Sequence, residues 1–303
     1  MQTFYGVLIG LLAAALQSCS YIFSSKYMRE SGRGMIALLA PAFAVMSLAS
    51  FAALPFLAGP DMPPLRVYAV PAMLCILFCL LGHAGLFFML KSVDASRASP
   101  LLAIKVPMLA LFYFAVRGES YTAWQWLGVA LVAPAAWLLC KAGRAIPARA
   151  MLWLLFGCAA YGGSDYCIQI VLGVFEDCGS MLRSSMLAFF VVYAAGGVYG
   201  AAGLLCGLVP TRREFARCVL PFSFFWLLAI AVLFVCFAMI GVVGGNIVQS
   251  TRGLISVVIG WLLARNGFEH LEEKVPRAVF MKRVASAVLV ILAVLLFNVG
   301  KAA

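Results

Sequence analysis

The chain alternates long apolar stretches with short polar interruptions from one end to the other. Each stretch is close to the length that a helix needs to cross about 30 Å of hydrocarbon, and the stretches are continuously apolar, whereas barrel strands alternate. The pattern therefore predicts an all-α membrane protein of about ten transmembrane helices. The predicted spans cover roughly residues 4–25, 34–58, 67–90, 98–116, 121–140, 150–172, 181–208, 217–240, 243–264 and 284–299.

Composition supports the same class. Of the 303 residues, 65% are hydrophobic and 11% are charged, whereas soluble domains carry about 25% charged residues. The first stretch has neither a basic region ahead of it nor a small-residue cleavage site, so we interpret it as a span and not as a removed signal peptide. We expect a multi-pass integral membrane protein of the plasma (inner) membrane of a bacterial-type cell.

Few residues offer metal or cofactor chemistry. The 10 cysteines are scattered through apolar stretches without a C-x-x-C pair, which favours small buried hydrophobes over disulfides or metal ligands. The two histidines, His83 and His270, have no partner at ligand spacing. We expect no cofactor and no metal. The net charge of +11 is a property of the loops, which indicates contact with an anionic lipid bilayer and not with nucleic acid.

The basic loop residues are distributed unevenly between the two sides of the predicted bundle. The loops after spans 1, 3, 5, 7 and 9 hold sixteen Lys and Arg residues, and the other side holds Arg66, Arg117, Arg183 and Lys301. The positive-inside rule places the sixteen in the cytoplasm and both termini outside. The sixteen are Lys26, Arg29, Arg33, Lys91, Arg97, Lys141, Arg144, Arg149, Arg212, Arg213, Arg217, Arg265, Lys274, Arg277, Lys282 and Arg283.

The hydropathy pattern repeats after 147 residues. The shift places five apolar stretches on the other five, Gly10 on Gly157, Ser18 on Asp165 and Lys105 on Arg252. Five spans per half is an odd number, so the halves must be inverted relative to each other. The repeat predicts two five-helix units, residues 1–145 and 146–303. Inverted repeats are the architecture of secondary transporters, which hold their substrate near the midplane between the halves.

The run "SRASPLLAIKVPMLALFYFAVRGESYTAWQWLGVALVAPAAWLL" resembles the end of an EamA-type domain of the drug/metabolite transporter superfamily. The residues that match its pattern are Pro107 within a span, Gly118 and Glu119 at a helix end, and Gly128 in the next span. The second half departs from it, with Leu254 where the offset would place a proline. The resemblance implies a ten-helix transporter of small solutes, and in many members the termini are cytoplasmic, which conflicts with the charge distribution above.

Arg252 lies within the almost wholly apolar run from Gly244 to Ala264. Its helical neighbours Gly245, Gln249 and Ser256 predict a small and polar face, with Ile247 on a lipid-like face. An arginine that faces lipid is costly, so the polar face should look into the bundle. Two roles stay open, a substrate contact and a salt bridge to Asp165, which is the acid that lies within a span.

Lys105 has apolar helical neighbours, so the residues on its face of the helix do not by themselves indicate a cavity. Local snorkelling of its side chain, or a structural ion pair, is the alternative to a substrate contact. The repeat makes it the counterpart of Arg252. In the plastid phosphate-translocator branch of the resembled superfamily, Lys and Arg on these two helices hold the substrate phosphate, and the resemblance implies the same role for both residues here. Two cations around one cavity favour an anion.

Other polar residues within spans complete the candidate substrate site. Asp165 is also a candidate carrier of a proton coupled to transport, and a counter-substrate is the alternative coupling partner. A histidine such as His83 is more often a satisfied polar residue within a bundle than a proton relay. Tyr21, Tyr113, Tyr161 and Tyr166 are further candidates for the cavity wall. The predicted substrate-binding set is Arg252, Lys105, Gln249, Ser256, Asn246, Gln17, Ser18, Asp165, Gln169 and His83.

These patterns predict a secondary transporter, not an enzyme, that moves a small anionic metabolite such as an organic acid or a phosphorylated or amino-acid-like compound. Export of neutral or cationic molecules is the main alternative. A membrane-embedded lipid-acting enzyme would need a dense cluster of acids or histidines near one interface, and the 11 acids are dispersed. Substrate identity, transport direction and oligomeric state do not follow from the residues.

Overall fold

A computed structural model describes residues 2–90, 92, 101–140, 146–252, 255 and 277–302. Within these ranges the chain is all helical, without a strand. We number the main helical segments in chain order. They are α1 Gln2–Ser31, α2 Met35–Leu57, α3 Leu65–Leu90, α4 Lys105–Arg117, α5 Ala123–Cys140, α6 Ala148–Val174, α7 Met181–Leu205, α8 Arg212–Ile240, α9 Val242–Gln249 and α10 Arg277–Ala302.

Two of the long helices are irregular. α7 bends at Gly196, and α8 contains a π turn at Phe215–Val219. Among the described residues, α1, α2, α3, α7 and α8 are long and apolar enough to cross a membrane. This confirms an all-helical, multi-pass membrane architecture, whereas the count of ten crossings stays a prediction.

The packing of the helices is compatible with two related halves. The most extensive pairs are α3 with α6, α1 with α8, α5 with α10 and α2 with α7. If each helix is exchanged with the one five places away, α3–α6 becomes α8–α1, and the other two pairs return to themselves. The smaller contacts of α4 with α6 and of α9 with α1 exchange in the same way.

Glycines bring α3 and α6 into backbone contact. A Cβ atom added to Gly85 would lie 2.8 Å from the Cα atom of Gly157, and one added to Gly82 would lie 2.7 Å from the ring of Tyr161. Small residues allow such an approach, which van der Waals packing in a membrane favours because lipid supplies no hydrophobic driving force between helices. This contact holds α6, the helix of Asp165, firmly against the first half.

α9 is enclosed by other helices on all sides. Each residue from Val242 to Gln249 is buried, and Ile247 has no exposed surface. The prediction of a lipid-like face is therefore wrong at Ile247, and its other residues, Leu254, Val257 and Trp261, lie outside the described residues. α1, α8 and α10 cover the short helix, so its apolar residues contact protein and its polar residues point between the helices.

Both predicted cationic positions lie at irregularities in the helical backbone. Lys105 is the first residue of α4 and follows a 3₁₀ turn at Leu102–Ile104. Pro107, two residues further on, lacks the backbone N–H that an uninterrupted helix would require. α9 ends at Gln249, and a turn at Ser250 and Thr251 precedes Arg252. The mid-span position predicted for Pro107 is thus the first turn of α4.

An ion pair joins the C-terminal end of α2 to the start of α7. Arg183 donates to both carboxylate oxygens of Asp61, at 2.7 and 3.0 Å, and to the carbonyl of Leu57. The hydrogen bonds from Arg183 hold the pKa of Asp61 below its ordinary value. Both residues lie on the side of the bundle that was predicted to be poor in positive charge, so the contact agrees with the assignment of these loops to one face.

Candidate functional site

A cavity lies between the helices of the two predicted halves. The empty space in it is about 910 Å³ when the open mouth is included. Residues from α1, α3, α6, α7, α8 and α9 and from the start of α4 line it. The polar and charged side chains among them are Gln17, Tyr21, Lys105, Tyr161, Ser164, Asp165, Tyr193, Trp226, Asn246, Gln249, Ser250 and Arg252.

Lys105 forms an ion pair across the predicted halves. Its Nζ atom lies 2.8 Å from Oδ2 of Asp165 on α6, and the two side chains are 20% and 10% exposed. The ammonium also lies 5.8 Å from the ring centre of Tyr161. A positive charge at the first residue of a helix opposes the helix dipole, so the carboxylate of Asp165 offsets an unfavourable position as well as a buried charge.

Asp165 has a second partner on α9. The side-chain amide of Asn246 donates to Oδ2 of Asp165 at 2.9 Å and to the carbonyl of Val242 at the same distance. Asp165 therefore connects α4, α6 and α9 through one carboxylate oxygen. The alternative of a salt bridge between Asp165 and Arg252 is wrong, because Lys105 occupies this carboxylate and the structure records no ion pair with Arg252 among the described residues.

Arg252 is held by neutral groups on α1. Its Nη1 atom donates to Oε1 of Gln17 at 2.8 Å, and its guanidinium lies 5.3 Å from the ring centre of Tyr21. The Ser18 hydroxyl lies 3.4 Å from the backbone carbonyl of Arg252. These contacts orient the guanidinium along the cavity wall and leave its positive charge without a carboxylate within the described part of the chain.

The side chains of Arg252 and Gln249 both have unused hydrogen-bonding capacity. The buried Nε atom of Arg252 has no hydrogen-bond partner among the described residues, and neither the nitrogen nor the oxygen of the Gln249 side-chain amide has one. Buried polar groups without partners are uncommon in proteins and are costly. Together with the guanidinium they form an unsatisfied polar corner of the cavity, made of Gln17, Gln249 and Arg252.

Three of the remaining predicted residues lie outside the cavity wall. Ser18 hydrogen-bonds the carbonyl of Ala14 and does not line the cavity, and Gln169 on α6 also lies outside it. His83 is buried behind the wall with Nδ1 2.8 Å from the Cys79 carbonyl oxygen, which requires the Nδ1–H tautomer. Ser256 falls outside the described residues.

The tyrosines divide into two groups. Tyr21 and Tyr161 line the cavity, whereas Tyr113 and Tyr166 pack against each other away from it, with ring centres 5.9 Å apart. The sequence interpretation missed the contribution of α7 and α8, above all Tyr193 and Trp226. These residues lie in apolar runs and have no distinguishing pattern around them, so only the tertiary packing reveals them.

Comparison with solved structures shows that the fold is shared over the whole chain. Twenty-seven solved chains match significantly. One of them, described only as a crystal structure of a protein, aligns over 97% of this chain and 98% of its own with a TM-score of 0.61 and 18% identity. This similarity concerns the fold alone. No curated protein gives a significant match.

Comparison with protein families finds a match in the first half of the chain. Residues 4–140 match the EamA-like transporter family. The match covers the predicted first repeat, including Lys105, and agrees with the apolar helices and the central cavity. Over residues 4–140, slightly less than half of its length, the chain is thus consistent with an EamA-type membrane transporter.

Proposed function

We propose that the chain is a secondary transporter that moves a small anionic metabolite by alternating access, with Arg252 as the principal anion-binding residue. One observation carries this proposal: Arg252 reaches the cavity with no carboxylate beside it among the described residues, while Lys105 is neutralised by Asp165. An unpaired cation within the membrane is costly. A bound anion would supply the missing partner.

The geometry of the corner fits an anionic head group. A guanidinium offers planar, forked donors that match a carboxylate or a phosphate, and the free Nε atom of Arg252 leaves part of this fork available. The amide nitrogen of Gln249 adds a further donor. A cationic solute would meet the uncompensated charge of Arg252 and would be repelled, which makes the export of cations the weaker hypothesis.

The location of the site fits alternating access. The cavity is bounded by helices from both predicted halves, and Asp165 and Arg252 each contact a helix of the other half. A relative movement of the halves would therefore change the surroundings of a bound anion on both sides. Two helices interrupted at Lys105 and Arg252 resemble the broken helices that form transporter sites near the midplane.

Substitution of Arg252 tests the proposal. Organic and phosphorylated anions that stabilise the purified protein against heating would be tested for uptake into proteoliposomes. Arg252→Lys keeps the charge but loses the fork, and we expect affinity to fall about tenfold, or about 1–2 kcal/mol. Arg252→Gln should weaken binding further, because the anion would be desolvated without its partner. Arg117→Gln removes an exposed charge at the end of α4 and should have no effect.

Two results would contradict the proposal. Uptake of every transported anion with unchanged affinity in Arg252→Gln would reduce Arg252 to a structural residue. Uptake restricted to neutral or cationic compounds would favour the alternative substrate class. Reconstituted protein that folds, as judged by an unchanged melting curve, is required in both cases.

A further inference from the structure

The part of the cavity wall that α7 and α8 form is apolar. α7 and α8 contribute Val192, Tyr193, Trp226, Ile230, Leu233 and Phe234. The polar atoms on this surface are the indole N–H of Trp226 and the hydroxyl of Tyr193, and they bind each other at 2.7 Å. The wall from α7 and α8 therefore presents hydrocarbon and aromatic rings to a ligand and very little hydrogen-bonding capacity.

An aromatic surface connects this wall to Arg252. The guanidinium lies against the ring of Tyr21, and the ring centre of Tyr21 is 6.1 Å from that of Trp226 in an edge-to-face arrangement. Trp226 is in turn stacked on Phe222, with ring centres 5.6 Å apart. A ligand whose head group contacts Arg252 would thus place the atoms beyond its head against rigid aromatic side chains.

The charge of the site limits the charge of the ligand. Among the described residues that line the cavity, Lys105, Asp165 and Arg252 are the charged ones. The first two form an ion pair, so a single positive charge is left over. One negative charge on the ligand balances it, whereas a dianion would carry an excess charge into a poorly solvated site.

We propose that the substrate is an amphipathic organic monoanion, with its anionic group at Arg252 and Gln249 and an apolar or aromatic body against the wall from α7 and α8. This inference rests on the proposed anion transport and narrows its substrate class. A body rich in hydroxyls is disfavoured, because the wall offers its hydroxyl groups no partners and each buried unpaired group costs affinity.

Three probes separate the contributions of charge and body. We would measure the binding of 3-phenylpropionate, of gluconate and of the uncharged 3-phenylpropanamide to the purified full-length protein by equilibrium dialysis. 3-Phenylpropionate carries one charge and an aromatic body, and gluconate carries one charge and a hydroxylated body. We expect 3-phenylpropionate to bind at least tenfold more tightly than either of the others. Arg252→Gln should remove its advantage over the amide.

A variant of the apolar wall tests where the body binds. Val192→Thr nearly keeps the size of the side chain and replaces one methyl group of the wall with a hydroxyl. It should weaken the binding of 3-phenylpropionate severalfold and leave that of gluconate unchanged or stronger. Leu233→Asn is a second variant of the same wall. Leu228→Asn is its control, because Leu228 lies on the same helix with its side chain exposed and outside the cavity.

The outcomes distinguish this inference from the proposed function. If gluconate binds as tightly as 3-phenylpropionate and both depend on Arg252, the apolar body is refuted and anion binding stands. If 3-phenylpropanamide binds as well as the acid, or if Arg252→Gln leaves the binding of both acids intact, anion recognition itself fails. If no probe binds at millimolar concentration, the proposed substrate class is wrong.

Discussion

Ser18 and Asp165 occupy equivalent positions under the 147-residue offset, as do Lys105 and Arg252. In one half the acid at this position neutralises Lys105 across the bundle. In the other half the hydroxyl of Ser18 lies 3.4 Å from the backbone carbonyl of Arg252, and the neighbouring Gln17 binds the guanidinium. An acid at this position in one predicted half and a serine in the other leave Arg252, unlike Lys105, without a carboxylate among the described residues. The proposed anion site follows from this asymmetry.

The ion pair of Lys105 and Asp165 should behave as a structural unit. Asp165→Asn leaves Lys105 partly buried without a counter-charge, and we expect it to destabilise the protein by about 3 kcal/mol. Lys105→Gln should have a similar effect. The double variant Lys105→Gln/Asp165→Asn should be more stable than the sum of its parts predicts, because it removes both charges together. Thermal unfolding in detergent measures all three.

A second double variant serves as the control for this prediction. Arg252→Gln/Asp165→Asn removes the same number of charges, but its two residues form no ion pair among the described contacts. We expect no restoration of stability there. Restoration in this variant, and none in the Lys105 variant, would show that Asp165 pairs with Arg252 and not with Lys105.

The ion-pair partner of Asp165 could not be predicted from the sequence, for a physical reason. The repeat relates the pair Asp165–Lys105 to Ser18–Arg252, and equally relates Asp165–Arg252 to Ser18–Lys105, so symmetry permits either pairing. The apolar neighbours of Lys105 gave no further indication. Distances between helices depend on the packing of α4, α6 and α9, and residue spacing along one helix does not encode them.

At the scale of helices, breaks in the helical backbone tell as much about the site as the apolar stretches do. The sequence predicted a span through Arg252, but the described helix ends at Gln249. No glycine or proline marks this end. The hydroxyls of Ser250 and Thr251 instead donate to the carbonyls of Ile247 and Val248, and these hydrogen bonds compete with the backbone of a continuing helix. In the first half Pro107 lies two residues after the equivalent interruption, although the sequence interpretation placed it within a continuous span.

The approach of α3 and α6 gives a prediction about packing. Gly85→Ala would place its methyl group 2.8 Å from the Cα atom of Gly157 and 2.9 Å from the carbonyl oxygen of Trp153. Backbone atoms cannot rotate aside as side chains do, so the helices must separate. We expect a loss of about 1–3 kcal/mol of stability, measured as a lower melting temperature of the purified protein.

Gly173→Ala on α6 is the matched control. A Cβ atom at Gly173 would meet nothing within 4 Å, and alanine favours a helix over glycine by about 1 kcal/mol. This variant should melt at the same temperature as the parent chain or slightly above it. Equal destabilisation by both substitutions would mean that the contact with Gly157 does not determine the effect at Gly85.

At the scale of the whole molecule, two arguments predict opposite orientations of the chain in the membrane. The positive-inside rule places the sixteen basic loop residues in the cytoplasm and both termini outside. The resemblance to EamA-type transporters implies cytoplasmic termini in many members. The predicted architecture does not decide between them, because a bundle of two inverted repeats would look alike from either side. We rely on the charges, since they are the chain's own residues.

Cys206 provides a direct test of orientation. It is a free and exposed cysteine in the connection between α7 and α8, close to Arg212 and Arg213 on the side rich in positive charge. In a variant that keeps Cys206 and lacks the other cysteines, we expect an impermeant maleimide to leave intact cells unlabelled and to react after permeabilisation. On the same background without Cys206, Asp177→Cys in the exposed connection between α6 and α7 should react in intact cells. The reverse pattern would place the positive loops outside, and the rule that sixteen basic residues against four decide topology would fail for this chain.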